Sequence, residues 1–588
     1  MQPYLVLSVV FACFLALLFT RKEPELIFGG GLLSLLLFQV IPVEQALSGF
    51  SNPGLITVAC LYVVAAGMNE SGALKPLIQK ITSGVKTVEQ GVIKTAAPVA
   101  LLSSLLNNTP IVAALIPSIS SWSKKKGWSN SSFLLPISYA AILGGTCTLV
   151  GTSTNLIIYG FIQESEFKNN LGFFDIALIG VPITIVGILY LAIFSKRLLK
   201  ERRSPRSSLG KTREYCVEML VSADGPLVGK TLEQAELRNL HGLYLIEIIR
   251  GDLVMAAIGP SVSLVANDRL VFTGVVDSIS ELLEIEGLKL AEQQVFKLSG
   301  NTGRARLVEA VIGQHHPLIG KTVKQGQFRK RYNAAIIAVV RNGYRLKMKT
   351  GDIVLRPGDT LLMLARRSFV EQFLYSRDFL LVNGLEDLNL DNGEKRPWAW
   401  ISLFALVSLG VSGLVPVVVA AMCSAAMMLV TGCISLNRAK QSLDLQVLLT
   451  IGLAFGLGKA LTLSGGAKVI ADNVLLVLGN HPIGLLIAVY LMTVVLTEMV
   501  TNNAAAVISF SLVSGVVEAM GYNLIPYAIA IMVAASASFI SPMGYQTNLM
   551  VYSAGGYRMS DYLRLGLPLS ILVAVCTLIL IPAFWSLN

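Results

Sequence analysis

Two stretches of this chain, Pro397 to Asn437 and Ala519 to Tyr557, contain no lysine, arginine, aspartate or glutamate. Each is long enough to cross a bilayer core twice, since one crossing helix takes ~20 apolar residues. Of the 588 residues, 54% are hydrophobic and 14% charged, against ~25% charged in ordinary soluble domains. The chain therefore reads as a polytopic α-helical membrane protein.

The formal net charge of +11 could suggest a nucleic-acid partner. The basic residues instead collect beside apolar segments, at Arg21-Lys22, at Lys124 to Lys126, and at Lys196-Arg197 with Lys200, Arg202, Arg203 and Arg206 beyond. That is the pattern of cytoplasmic loops, and no nucleic-acid partner is expected. Counting crossings between these clusters puts all three inside, with both chain termini outside. The seven cysteines form no CxxC or Cys/His cluster, so neither a disulfide framework nor a zinc site is indicated. The four histidines lie outside the most apolar runs, which argues against haem chemistry. The N-terminal Met-Gln-Pro-Tyr lacks a positive n-region, so the first apolar run is expected to be a retained helix.

The expected order begins with a first membrane half, residues 1–200. It holds helices at 3–20 and about 26–44, an apolar stretch ending near Gly67, and an amphipathic segment over 75–89. An apolar run over 91–120 is interrupted by Asn107-Asn108-Thr109-Pro110 and reads as a re-entrant helical hairpin. Such a tip is tolerated at membrane depth only where protein or water covers it. Residues 131–163 read as a helix unwound near Gly151-Thr152-Ser153-Thr154-Asn155, and 174–194 as a return helix. The second half, 397–588, repeats the plan. It places two helices over 398–432, a crossing at 445–461, an interfacial segment at 462–480 and a hairpin at 484–516 carrying Thr497-Glu498-Met499-Val500-Thr501-Asn502-Asn503. A helix unwound over Ser541 to Asn548 and a final helix at about 562–585 complete it. Asn108 precedes Asn155 by 47 residues and Asn502 precedes Asn548 by 46. By the orientation count the first hairpin enters from inside and the second from outside, which is an inverted repeat of the kind secondary transporters use.

Between the halves the character changes. Apolar runs shorten to strand length, charges become frequent, and the segment carries an internal duplication. Pro226-Leu227-Val228-Gly229-Lys230-Thr231 matches Pro317-Leu318-Ile319-Gly320-Lys321-Thr322 at an offset of 91, and Arg250 and Asp268 match Arg341 and Asp359 at the same offset. Two small α/β domains are expected, at 208–295 and 299–385. Gly-Lys-Thr is not a phosphate loop, because the glycine that motif needs five residues earlier is replaced by Asp224 and His315. These units resemble the TrkA-C (RCK-C) regulatory modules of potassium-transport systems. The resemblance implies dimerisation and a small regulatory ligand of nucleotide type; a purely structural clamp is the alternative.

The membrane portion as a whole resembles the divalent anion:sodium symporter family. Its signature is a Ser-Asn-Thr triplet at each hairpin tip, matched here in its central Asn by Asn107-Asn108-Thr109 and Thr501-Asn502-Asn503. The Pro-Pro-Asn of dicarboxylate-carrying relatives is replaced by Ser153-Thr154-Asn155 and Gln546-Thr547-Asn548. The resemblance implies a dimeric, elevator-type, sodium-coupled transporter in the plasma membrane, not an enzyme. Carried over by position, it implies one sodium site at Ser103, Asn107, Asn108 and Gly151. The second would use Thr497, Val500, Asn502 and Gly544. The dianion would lie against Asn108, Thr109, Asn502 and Asn503, with Thr154 and Thr547 at its edge. Sulfate leads, because Pro-Pro-Asn is absent and the tips are rich in hydroxyl and amide groups; a dicarboxylate or another oxyanion is the alternative. A regulated channel is disfavoured, since no Thr-Val-Gly-Tyr-Gly filter occurs. Glu498 suits a structural place behind the tip as well as a proton site, and is left out of the ligand set. Glu70 and Asp444 are expected near helix ends.

Overall fold

The computed structural model describes residues 2–20, 23–73, 76, 84–163, 171–200, 216–237, 240, 243–251, 253–256, 261–274, 282, 285–290, 305–313, 316–341, 344–346, 350–373, 376, 378–384, 393–466, 468–470, 472–473 and 481–588. Most of the amphipathic segment at 75–89, much of 462–480, Arg21-Lys22, the arginines beyond Lys200 and the outer ends of the two central domains lie outside the described residues. The chain divides into two compact units. One comprises residues 1–201, 390–551 and 558–588; the other comprises 202–389 with 552–557.

The first nine helices belong to the larger unit. They are α1 (Gln2–Phe19), α2 (Pro24–Leu37), α3 (Val43–Ala46), α4 (Pro53–Glu70), α5 (Val88–Ser103), α6 (Asn108–Lys125), α7 (Leu134–Gly145), α8 (Ser153–Gln163) and α9 (Ala177–Leu198). The hairpin expected over 91–120 is present as α5 and α6, with one correction. Asn108, Thr109 and Pro110 are not the tip but the first turn of α6, and residues 104–107 make the turn. Pro110 can sit there because first-turn N–H groups have no helical partner to lose.

The smaller unit holds two five-stranded sheets. The first contains β1 (Cys216–Val221), β2 (Leu243–Arg250), β3 (Leu253–Ala256), β4 (Arg269–Gly274) and β5 (Leu288–Leu290), in the order β3-β2-β4-β1-β5. The second contains β6 (Ala305–Ile312), β7 (Ala334–Arg341), β8 (Tyr344–Arg345), β9 (Thr360–Arg366) and β10 (Phe379–Gly384), in the order β10-β6-β9-β7-β8. Short helices α10 (Phe328–Tyr332) and α11 (Arg367–Phe373) accompany it. Read from its other edge, the second sheet has the strand order of the first. Paired strands in both are antiparallel. Two small sheets are thus present, with named helices beside only the second among the described residues.

Each sheet closes its own core, one around Met219, Leu245, Ile248, Leu270 and Phe272, the other around Val308, Phe328, Val339, Leu361 and Phe379. The matching Arg and Asp residues form matching ion pairs. Arg250 donates twice to Asp268, both bonds at 2.8 Å, and once to the Ser263 carbonyl. Arg341 donates twice to Asp359, both at 2.7 Å, and once to the Val354 carbonyl. Gly229 and Gly320 have φ of 84° and 78°, a left-handed conformation that side chains resist. Thr231 and Thr322 then cap short turns by accepting from Gln234 N–H and Gln325 N–H. Gly-Lys-Thr is therefore a turn, as its sequence context implies.

Two buried ionisable groups in this unit make its stability depend on pH in opposite senses. Burial pushes the Glu247 carboxyl up to about 7, so the folded state favours its protonated form. The resulting stability is present below 4.5 and is lost as pH rises through about 7, an effect of ~3 kcal/mol at most. Burial pushes His316 down to about 4, against a smaller opposing pull from Asp378; its contribution is present above 6.5 and lost as pH falls through about 4. Glu247→Gln is expected to abolish the loss of hydrogen-exchange protection in β2 and β4 on the alkaline side and leave the acid side unchanged. An identical profile in the variant rules this out.

The larger unit resumes with α12 (Arg396–Ser412), α13 (Val417–Val430), α14 (Leu436–Ser442), α15 (Leu445–Leu463), α16 (Pro482–Met499), α17 (Asn502–Ala519), α18 (Leu524–Ser536), the start of α19 (Gln546–Gly555, whose residues from Tyr552 on are counted with the smaller unit) and α20 (Met559–Phe584). Asp444 caps α15 by accepting from Val447 N–H, and Glu70 at the end of α4 lies 3.6 Å from Arg438. Among the described residues, five segments are long and apolar enough to cross a membrane: Val43–Glu70, Ala177–Leu198, Leu445–Leu463, Pro482–Met499 and Met559–Phe584. Their exposed faces are apolar. Leu178, Val181, Ile185, Leu189 and Ile193 form one outward stripe on α9, and Leu563, Leu567, Ile571, Val575 and Ile579 another on α20. Stripes of this length facing outward are placed by lipid, since water would penalise them.

Inside the unit, small residues let backbones touch. A Cβ on Gly144 of α7 would overlap the Ala100 carbonyl of α5, and one on Gly180 of α9 would overlap the Thr146 carbonyl. A Cβ on Gly566 of α20 would overlap the Phe539 carbonyl. Such packing replaces the hydrophobic drive that lipid removes.

Candidate functional site

Two helix pairs and two helix breaks build the site. Residues 104–107 join α5 to α6, and Val500 and Thr501 join α16 to α17. Helix α7 stops at Gly145 and α8 starts at Ser153; α18 stops at Ser536 and α19 starts at Gln546. The second tip turns into α17 because Thr501 caps it, accepting from Ala504 N–H.

Each break is pinned by an asparagine at the head of the following helix. Asn155 Nδ2 donates to the carbonyls of Thr148 at 2.8 Å and Gly145 at 3.3 Å. Asn548 Nδ2 donates to those of Ser538 at 2.8 Å and Ser541 at 3.3 Å. Both amides reach back by the same two intervals, and both residues are fully buried. The breaks are tight: a Cβ on Gly151 would sit 2.5 Å from the Gly145 carbonyl.

Tips and breaks are tied together. In the first half, Thr148 donates to the Ser104 carbonyl. In the second, Thr497 donates to the Ala535 carbonyl at 2.6 Å, and Ile540 N–H to Glu498 Oε1 at 3.0 Å. Contacts also run between halves. Asn108 Nδ2 donates to Tyr545 OH at 2.6 Å, and Thr109 to Gln546 Oε1 at 3.2 Å. Ser153 donates to Asn503 Oδ1 at 2.8 Å, and the Thr154 and Ser536 hydroxyls lie 2.7 Å apart. Ser138 of α7 donates to Asn548 Oδ1 at 2.8 Å, and its oxygen lies 2.9 Å from the Thr547 hydroxyl.

The expected residues fall as follows. Ser103 hydrogen-bonds to Asn108 Oδ1, and a Cβ on Gly145 would meet that same oxygen at 2.9 Å and the Gly151 carbonyl at 3.3 Å. Ser103, Asn108 and Gly151 are therefore brought together. Asn107 is half-buried, and its side chain makes no hydrogen bond among the described residues. On the other side, the Thr497 carbonyl closes on Gly544, where a Cβ would lie 3.1 Å from it. Asn502 heads α17 with its Nδ2 buried and unpaired, and Val500 N–H bonds back to Leu496. Thr154 and Thr547 are fully buried and spend their hydroxyls on Ser536 and Ser138. The sequence reading passed over Tyr545, Ser138, Ser536 and Ser538, and weighed Glu498 but left it out of the ligand set. Tyr545 stands 393 residues after Thr152, the interval that also separates Gly151 from Gly544 and Asn155 from Asn548, so the spacing could have found it.

The arrangement presents hydroxyl, amide and carbonyl oxygens with no lysine or arginine in either tip. Oxygen sets without fixed positive charge suit hard cations, and the amide N–H groups can donate to an anion.

Comparison with known proteins places the chain in a family. The family described as citrate transporter (CitMHS) matches two overlapping segments, residues 14–524 and 404–587. A Chlamydomonas reinhardtii protein named for regulation of the sulfur deprivation response is 33% identical over 92% of this chain and 95% of its own length. An uncharacterized transporter of Synechocystis is 28% identical over 94% of this chain and 92% of its own. Sodium/sulfate cotransporter 1 of Chlamydomonas reinhardtii is 25% identical over 91% of this chain and 84% of its own.

Proposed function

Because this chain belongs to the citrate transporter (CitMHS) family, and is a membrane protein built of apolar helices, we propose that it imports a divalent anion, sulfate first, together with sodium. The observation that carries this reading is the meeting of two asparagine-headed tips with two unwound helices, in a setting of neutral oxygen ligands. The algal relatives named sodium/sulfate cotransporters favour sulfate as the cargo and sodium as its companion.

One sodium ion is held by Ser103, Asn108 and the Gly151 carbonyl, with Asn107 completing the set. A second is held by Thr497, Val500, Asn502 and Gly544. The dianion lies between the tips, on the N–H groups of Asn108, Asn502 and Asn503 and the hydroxyl of Thr109. Thr154 and Thr547 sit behind it as supports. Sodium supplies the positive charge that the tips lack, so the anion binds weakly until sodium is present, and the two cargoes are thermodynamically linked. A fixed arginine would hold the anion too well for release and repel sodium.

The two halves act as inverted repeats that carry the site across the plasma membrane by an elevator movement within a homodimer, with both termini outside. The common offset of 393 residues between the breaks supports the repeat. The two sheets of the smaller unit act as cytoplasmic TrkA-C modules that sense a small, nucleotide-type ligand. Their shared strand order and the two Arg–Asp pairs support their descent from one module.

Radiolabelled sulfate uptake into proteoliposomes tests the reading. Accumulation should follow an inward sodium gradient and stop when choline replaces sodium. Sodium-indifferent uptake overturns the coupling. The family description favours one other cargo, an organic carboxylate; uptake of succinate or citrate but not sulfate would decide for it.

A further inference from the structure

A cleft lies between α17, the arm that leads away from Asn502, and the helices α1, α2 and α15. It holds about 420 Å³ of empty space, mouth included, and its walls include Val10, Phe14, Phe28, Leu457, Ile508 and Leu512. No charged residue lines it. The Cys13 thiol on its wall is spent on the Ile27 carbonyl at 3.6 Å. One side-chain polar group is left over. Ser511 Oγ is sealed from solvent and has no hydrogen-bond partner among the described residues. Gly458 faces it, and a Cβ there would come within 2.9 Å of that oxygen, so the bare glycine leaves the hydroxyl room.

Water is a poor occupant, because a buried water needs two to four polar partners and apolar cavities take hydrocarbon instead. Hydrocarbon is also what lies outside. Phe11 and Leu15 on α1, and Leu26 and Leu33 on α2, are exposed, in a unit whose outward stripes face lipid. The depth of the free hydroxyl fits as well. Ser511 stands nine residues beyond Asn502, ~13 Å along the helix axis at 1.5 Å per residue. With the tip near the middle of a hydrocarbon core ~30 Å thick, that is the level at which acyl chains begin at their ester carbonyls. An ester carbonyl accepts a hydrogen bond, and a hydroxyl left bare in apolar surroundings is costly.

We propose that this cleft binds one acyl chain of a bilayer phospholipid, with the Ser511 hydroxyl donating to the ester carbonyl at the head of that chain. This rests on the reading of α16 and α17 as a re-entrant hairpin, and adds a ligand that is neither cargo nor coupling ion. The chain fills the space between the arm that carries Asn502 and the three helices beside it. Under the elevator reading, a slide of that arm then exchanges hydrocarbon contacts for hydrocarbon contacts and opens no void.

Photolabelling of the full-length chain in phosphatidylcholine vesicles tests this without sodium or anion. The vesicles carry a trace of phosphatidylcholine with a diazirine close to its ester, and labelled peptides are mapped by mass spectrometry. The outward stripe of α20, from Leu563 to Ile579, reports ordinary contact with lipid. In wild type, label in Val10 to Phe14 and in Val507 to Leu512 should stand well above that stripe. Ser511→Ala removes the donor and should cut the excess ~5-fold, the worth of one hydrogen bond. The ether-linked analogue of the same lipid lacks the carbonyl, and should label wild type as weakly as the ester lipid labels Ser511→Ala. Leu512→Trp closes the mouth and should bring the cleft down to the level of α20; should it fold poorly, Ser511→Ala and the ether lipid decide. Label in the wild-type cleft no denser than on α20 overturns the site. So does an excess that neither Ser511→Ala nor the ether linkage reduces. Either failure leaves the transport reading standing, since that reading is tested by uptake alone.

Discussion

Asn108→Ala is expected to reduce sodium-driven anion uptake to the background of empty vesicles, a fall of ~100-fold or more, in a protein that still folds and inserts. The amide of Asn108 is the hub of the first tip: it accepts from Ser103, donates to Tyr545, and lies against Gly145 beside the Gly151 carbonyl. Truncation removes an oxygen from the cation's reach and a donor from the anion's. It also leaves Ser103 and Tyr545 without their partner, and each broken hydrogen bond costs ~1 kcal/mol or more in a buried setting. Asn502→Ala should match it in transport through a different route, since the Asn502 Nδ2 has no partner to lose among the described residues. Its loss should therefore fall on cargo alone, with the smaller change in unfolding temperature. Full sodium-dependent uptake by either variant would show the tips to be scaffolding rather than ligands.

Asn155→Ala and Asn548→Ala are expected to act on the frame rather than on the cargo. Each removes an amide that satisfies two carbonyls of an unwound segment, Gly145 and Thr148 in one case, Ser538 and Ser541 in the other. Buried carbonyls left bare cost ~1–3 kcal/mol each, so each variant should lose ~2–4 kcal/mol of stability. The loss should appear as a clear drop in unfolding temperature in detergent, beside no drop for Ser8→Ala on the exposed face of α1. A drop confined to one of the two variants would mean that the breaks are held by different means despite their matching bonds.

How much of this was legible in the residues varies with the kind of signal. The apolar runs from Pro397 and from Ala519 announced the helices, because a run without charge has few physical alternatives. The twin Asn-rich stretches marked the tips, because polar groups amid apolar residues demand a reason. The exact turn was misjudged at the first tip. Proline reads as a breaker, yet Pro110 occupies the one part of a helix where its missing N–H is harmless. Tyr545 escaped notice because a tyrosine in a run of Ser, Pro, Met and Gly looks like loop filling; its hydroxyl gains meaning only when the fold brings it to Asn108, 437 residues away. Thr154 and Thr547 show the converse. Their hydroxyls looked available in one dimension and are spent on Ser536 and Ser138 in three.

The bare-backbone contacts at Gly144, Gly180 and Gly566 set a mechanical condition. Where carbonyl oxygens of one segment rest directly on α-carbons of another, no side chain is left to flex, and a slide of an ångström would need the whole joint to separate first. Tyr139 bonding to the Phe539 carbonyl and Tyr190 to the Leu565 carbonyl cross-brace the same members. Helices α5, α7, α9 and α20, with both unwound segments between them, are thus braced directly against one another. Under the proposed elevator reading, that braced set would move intact, and the gliding surface would lie where longer side chains, able to change rotamer, separate it from its neighbours.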